Sequence, residues 1–115
     1  MDRILSSEIF IENDKIKWEK VGQGVERKIL GYDDQIMLVL AKFDKGGIGS
    51  VHNHPHRQVT YVAKGKFEVE VNGEKKILKE GDCFYLPPEL KHGAVCLEDG
   101  LLVDVFNPHR EDFLK

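Results

Sequence analysis

Two histidines one residue apart, His52 and His54, are followed by Gln58 and answered downstream by His92. Residues two apart on an extended chain share a face. If the segment is extended, His52, His54 and Gln58 point the same way, and three donor groups converge on one metal ion inside a small β-barrel. A lone histidine is more often a satisfied core or surface residue. Three histidines and a glutamine in this pattern favour ligation instead. His56 shares the strand parity of His54 and takes a second-shell or structural role in this reading. His109 follows a proline in the tail and is expected to be exposed.

A second cluster lies near the C-terminus. Leu101 to Phe106 is apolar at every position except Asp104, as expected of a strand buried on both faces with one carboxylate set into it. A buried carboxylate is costly unless paired. Asp104 and Phe106 share a face, so both lie near the metal if that face is the interior. Arg110 follows four residues later and is close enough to fold back over the barrel mouth. Two readings stand side by side: an Asp104 to Arg110 ion pair pinning the tail, or a pair of groups that acts on a substrate.

These residues need a scaffold, and the punctuation of the chain supplies one. Stretches rich in β-branched and aromatic residues recur at 16–21, 25–30, 36–43, 58–63, 66–71, 75–78, 83–86 and 101–106, the rhythm of an all-β barrel or sandwich. Asn72-Gly73 predicts a tight hairpin, because both residues tolerate positive φ. Gly22 to Gly24, Asp33-Asp34, Asp44 to Gly47 and Asp99-Gly100 mark further turns. The tail from His109 to Lys115 is expected to form one helical turn, docking Phe113 and Leu114 on the barrel.

Composition narrows the function. At 115 residues the chain suits one compact domain, 1–115, with a real core. Seventeen Lys and Arg against twenty Asp and Glu give a formal charge of -3, with both signs scattered, which argues against a nucleic-acid partner. Met1 to Glu8 meets charge before it builds a signal-peptide core, and the apolar run from Ile36 to Ala41 is too short to span a bilayer. Cys83 and Cys96 lack metal-knuckle spacing and are expected as buried thiols, with a reducing cytoplasm as the default location.

The spacing is also recognisable. Gly46, five residues, His52, one, His54, three, Gln58, six, Gly65 resembles the first motif of the cupin superfamily, with Gln58 replacing the usual Glu. Gly81, five residues, Pro87, four, His92 resembles the second, with Glu89 where a Gly is usual and Cys96 where an Asn is usual. The resemblance implies a single-domain jelly-roll β-barrel holding one divalent transition metal ion through His52, His54, Gln58 and His92. Imidazole suits zinc, nickel, cobalt, manganese, iron and copper alike, so the ion's identity stays open. Three neutral imidazoles and an amide leave the ion its full charge, a strong Lewis acid toward a carboxylate or enolate. An anionic Glu would instead help stabilise a higher oxidation state.

Within the superfamily, Asp104-Val105-Phe106 and Arg110 to Leu114 resemble the C-terminal signature of the pectin-degradation cupins of KdgF type. Trp18-Glu19, Gly24-Val25, Arg27 to Leu30 and His54-Pro55-His56 resemble the same family, and the likeness runs from about Ile9 to Leu114. It implies ring opening of 4,5-unsaturated monouronates, small sugar acids from pectin or alginate, to the linear keto form. It also implies that Asp104, Phe106 and Arg110 are the catalytic residues and that the protein is a homodimer, burying an apolar outer face such as that of Ile36 to Phe43. A cupin dioxygenase and a non-catalytic cupin that binds a metal or sugar acid are the alternatives. Whether Arg27 reaches the pocket is left open by the sequence.

Overall fold

A computed structural model describes residues 6–114. Met1 to Leu5, on which part of the N-terminal reading rests, and Lys115 lie outside the described residues. The elements are β1 (Glu19–Gly22), β2 (Val25–Tyr32), β3 (Met37–Phe43), β4 (Ile48–His52), β5 (Arg57–Val71), β6 (Glu74–Lys79), β7 (Cys83–Leu86) and β8 (His92–Asn107). Short 3-10 turns cover Asn13–Lys15 and Glu111–Leu114. All pairings are antiparallel, in the order β1-β2-β3-β8-β5-β6, with β4 added to β8 and β7 to β5. The all-β expectation, the hairpin at Asn72-Gly73 and the C-terminal turn are all present. Among the described residues no helix is long and apolar enough to cross a membrane.

The largest departure from the sequence reading concerns β5 and β8. Two strands were expected at 58–63 and 66–71, but β5 runs unbroken for 15 residues; β8 runs for 16, through the expected turn at Asp99-Gly100. The turn-forming residues bend these strands instead of ending them. Register slips between Val62 and Phe67 against Leu102 to Cys96, the signature of paired bulges. Gly65 adopts φ +88, and a Cβ there would lie 2.6 Å from the carbonyl oxygens of Glu98 and Asp99. At Gly100 a Cβ would meet Lys64 O at 2.6 Å and the Phe67 ring at 2.7 Å. Only two facing glycines let the backbones cross this closely.

Strand alternation then sorts the side chains. Val62, Phe67, Val69, Cys96 and Leu102 pack inward with Phe43 and Val25, and Phe43 meets Phe67 edge to face at 5.2 Å. A second cluster joins Met37, Val39 and Phe106 to Phe113 and Leu114 of the C-terminal turn. The first strand begins at Glu19, later than the expected Ile16, because the preceding segment lies against β2. There the buried Lys28 donates from Nζ to Asn13 O and Oδ1, both at 2.9 Å, and sits 4.7 Å from the centre of the Trp18 ring. Two expectations are corrected. Cys83 is exposed and only Cys96 is buried, since alternation on β7 turns Phe84 and Leu86 inward. Val103 and Val105 on β8 are half-buried, so the outer face of that strand is only partly covered.

The crossing at Gly65 predicts a sharp contrast between two left-handed glycines. Gly65→Ala is expected to lose about 3 kcal/mol or more in urea unfolding, from backbone overlap added to φ strain. Gly73→Ala, at φ +86 with open space around it, is expected to lose only about 1 kcal/mol.

Candidate metal centre

The two ends of β8 are 14 residues apart between His92 and Phe106, about 46 Å if the strand were straight. Instead the His54 ring lies 4.9 Å from the His92 ring and 5.8 Å from that of Phe106. Curling of β8, bent at Gly100, brings both ends to one place. β4 pairs His52 with His92, and Gln58 of β5 pairs with Phe106, so the β4–β5 connection crosses the barrel mouth. His54 sits on that connection, because β4 stops at His52 and β5 starts at Arg57. Strand parity therefore does not align His54 with His52 as expected; the loop turns it inward. Glu89, in the slot where the motif usually has Gly, accepts φ +67, and its N–H donates to His54 O at 2.7 Å.

One nitrogen from each of His52, His54 and His92 falls in a group whose members all lie within 4.8 Å of one another. Each ring has its Nδ1 against a backbone carbonyl: Ser50 O at 2.7 Å, His56 O at 3.1 Å and Leu90 O at 2.9 Å respectively. A carbonyl only accepts, so each Nδ1 donates and each Nε2 is left with a lone pair. Burial, reinforced by neighbouring positive charge, lowers the pKa of His54 and takes that of His92 down to about 4, so both rings are neutral near pH 7.

Gln58 completes the donor set. Its Nε2 donates to Thr60 Oγ1 at 2.8 Å and faces Asp104 Oδ1 at 3.4 Å, which turns Oε1 toward His54 Nε2 at 3.0 Å. With Nδ1 of His54 protonated, that last contact brings two lone pairs together. A cation is what such a pair of acceptors fits, and the four side chains match a divalent ion with imidazole and amide ligands. His56 serves His54 through its backbone carbonyl; its own Nδ1 is buried without a partner. His109 is half-buried, with its Nδ1 3.1 Å from Asp34 O, so it is less exposed than expected.

Beside the donors lies a cavity of about 140 Å³. His52, Gln58, His92, Asp104 and Arg110 form its polar wall, and Phe106, Phe84, Leu102 and Phe113 its apolar one. Asp104 and Phe106 do share the inward face, as their parity predicted. Thr60, in register opposite Asp104, donates to its Oδ1 at 2.6 Å. Burial raises the Asp104 carboxyl to about 6, against the lowering effects of Thr60, the Arg110 charge and Gln58.

The Asp104 to Arg110 ion pair, one of the two readings of the sequence, is not formed. Arg110, only 8% exposed, spends Nε and Nη2 on Asp112 at 3.0 and 2.8 Å and lies over the rings of Phe106 and Phe113. Asp104 instead keeps Thr60 and Gln58. Thr60, Asp112 and Phe113 were missed as site residues. A polar residue at the inward parity of Gln58 was the available signal for Thr60, whereas nothing local distinguishes Asp112 from a solvated tail residue.

Comparison with known proteins agrees with this geometry. The family model Cupin_2, described as a cupin domain, matches residues 39–106. The pectin degradation protein KdgF of Dickeya dadantii (strain 3937) is 47% identical over 104 residues, 89% of this chain and 94% of that protein. An RmlC-like cupin from Shewanella frigidimarina NCIMB 400 superposes with TM-score 0.91 at 46% identity, covering 94% of this chain and 97% of that one. The structure of KdgF from Halomonas sp. gives TM-score 0.89 at 43% identity, over 93% and 99%. An all-β antiparallel barrel with motif histidines at its mouth, matched by that family model over more than half its length, places this chain in the cupin family.

Proposed function

We propose that this protein opens the ring of 4,5-unsaturated monouronates, giving the linear keto form. One observation carries the reading: a cluster of three imidazoles sits beside one small cavity whose wall holds a half-buried carboxylate and a buried guanidinium. The 47% identity to a pectin degradation protein points to the same substrate class. One divalent transition metal ion held by His52, His54, Gln58 and His92 would supply Lewis-acid stabilisation of negative charge on oxygen.

The protein's own groups take the remaining roles. Asp104 accepts the proton of the anomeric hydroxyl as general base. The bond between the anomeric carbon and the ring oxygen then breaks, leaving a carbonyl at the anomeric carbon and an enolate beside the carboxylate. Return of a proton to carbon gives the keto form, so atoms balance as in any isomerisation. Arg110 binds the substrate carboxylate through the guanidinium edge that Asp112 leaves free. Phe106 walls the pocket against water.

The outer face of the sheet supports a homodimer. In register across β7, β5, β8 and β3 run Tyr85, Val59, Val105 and Leu38, and beside them Cys83, Tyr61, Val103 and Leu40. Val59, Tyr61 and Tyr85 are all about half exposed, a contiguous apolar surface that a second copy would cover. The free, exposed thiol of Cys83 fits a reducing cytoplasm.

Metal-loaded protein is expected to accelerate loss of the enol-ether ultraviolet absorbance of unsaturated galacturonate or mannuronate over a protein-free control. No acceleration with any of the candidate ions overturns the reading. Asp104→Asn is expected to keep its metal and lose about a hundredfold or more in kcat, while His52→Ala loses the metal itself. In the metal-free protein the Asp104 carboxyl is expected to titrate at about 6 by carbon NMR. It is ionised above that pH, and bound cation shifts the midpoint down. For the dimer, Tyr61→Glu is expected to halve the mass seen by sedimentation without unfolding the chain.

A further inference from the structure

Arg27 comes from β2, far in sequence from every residue given a role above. It faces inward, in register with Ala41, which is in turn in register with Leu102; both of these wall the cavity. Its guanidinium carbon lies 3.9 Å from the centre of the Phe113 ring, and that of Arg110 lies 4.2 Å from the same centre. Two cations thus share one aromatic ring, whose faces carry the negative part of the quadrupole. Each cation has its own carboxylate, Glu19 at 2.8 Å for Arg27 and Asp112 for Arg110, which offsets their mutual repulsion.

Asp112 cannot aim Arg110 by itself. Both residues belong to the same short tail, so their pair moves as a unit. Phe113 helps tie the tail to the barrel, alongside Leu114 in the same core cluster; it is set edge to face on Phe106 at 5.8 Å and capped by Arg27. We propose that Arg27 is a positioning residue for the ring-opening reaction: through Phe113 it seats the C-terminal turn, and so holds the free edge of Arg110 toward the cavity. At 3.9 Å from the ring centre a guanidinium has a flat face to offer the ring, which an ammonium lacks. This inference rests on the ring-opening reading for its kinetic consequence, but not for its structural one.

Arg27→Met keeps the aliphatic stem and removes the cation; Arg27→Lys keeps the charge and removes the plane. With full metal loading, Arg27→Met is expected to raise KM for unsaturated galacturonate about tenfold and leave kcat within about threefold. Amide hydrogen exchange at 110–114 is expected to quicken in the same variant, with Arg27→Lys between it and the wild type in both readouts. An unchanged KM overturns the proposal even if the tail exchanges faster, because Arg27 is then structural only. Unchanged exchange overturns it too. If the wild-type protein opens no unsaturated uronate, the ring-opening reading fails by itself, and exchange in the two variants still decides whether Arg27 seats the turn.

Discussion

The close crossing of β5 and β8 at Gly65 and Gly100 is the constraint from which the site follows. Without side chains at that crossing, two long strands can bend together and keep their pairing on both sides of the bend. One strand, β8, thereby pairs with β4 at its start and with β3 at its end, and delivers His92 and Phe106 to the same cavity. A methyl group at either glycine would force backbone atoms apart at the point where the barrel folds over. Two glycines of the chain therefore carry consequences for histidines far along the strands from them.

At the site the polar groups are held by several separate sets of hydrogen bonds. Backbone carbonyls take the Nδ1 protons of the three histidines, Thr60 and Gln58 hold Asp104, and Asp112 holds one edge of Arg110. These partners also orient the side chains they satisfy, as buried polar groups require. Left unsatisfied are the buried Nδ1 of His56 and the inward lone pairs of Gln58 and of the Nε2 atoms of His52, His54 and His92. The inward lone pairs mark where a cation fits and where charge developing on a substrate could be met.

Much of this was legible in the chain. The hairpin at Asn72-Gly73 and strand β7 are local matters of turn chemistry and alternation, and both stand where expected. The three histidines and Gln58 also come together, although His54 does so from a loop and not by strand parity. The sequence misled wherever a residue's local preference was overruled by its neighbours. Asp99-Gly100 reads as a turn, yet hydrogen bonding on both sides carries β8 through it as a bulge. An Asp104 to Arg110 pair is one of two readings of the sequence, yet Asp112 is two residues away on the same turn, and Thr60 already faces the carboxylate.

The sequence by itself determined the inventory: which donors exist, that none of the candidate ligands is anionic, and which positions along a strand can share a face. Those are properties of residue type and of the two-residue repeat, and they need no fold to be stated. Tertiary structure alone decided which lone pairs point inward, because the carbonyls that orient the histidines come from the local path of the backbone. It also decided that Arg27, from the second strand, meets Phe113 from the last turn. No pattern within either segment encodes that contact, which exists only because the folded sheet brings β2 against the last turn.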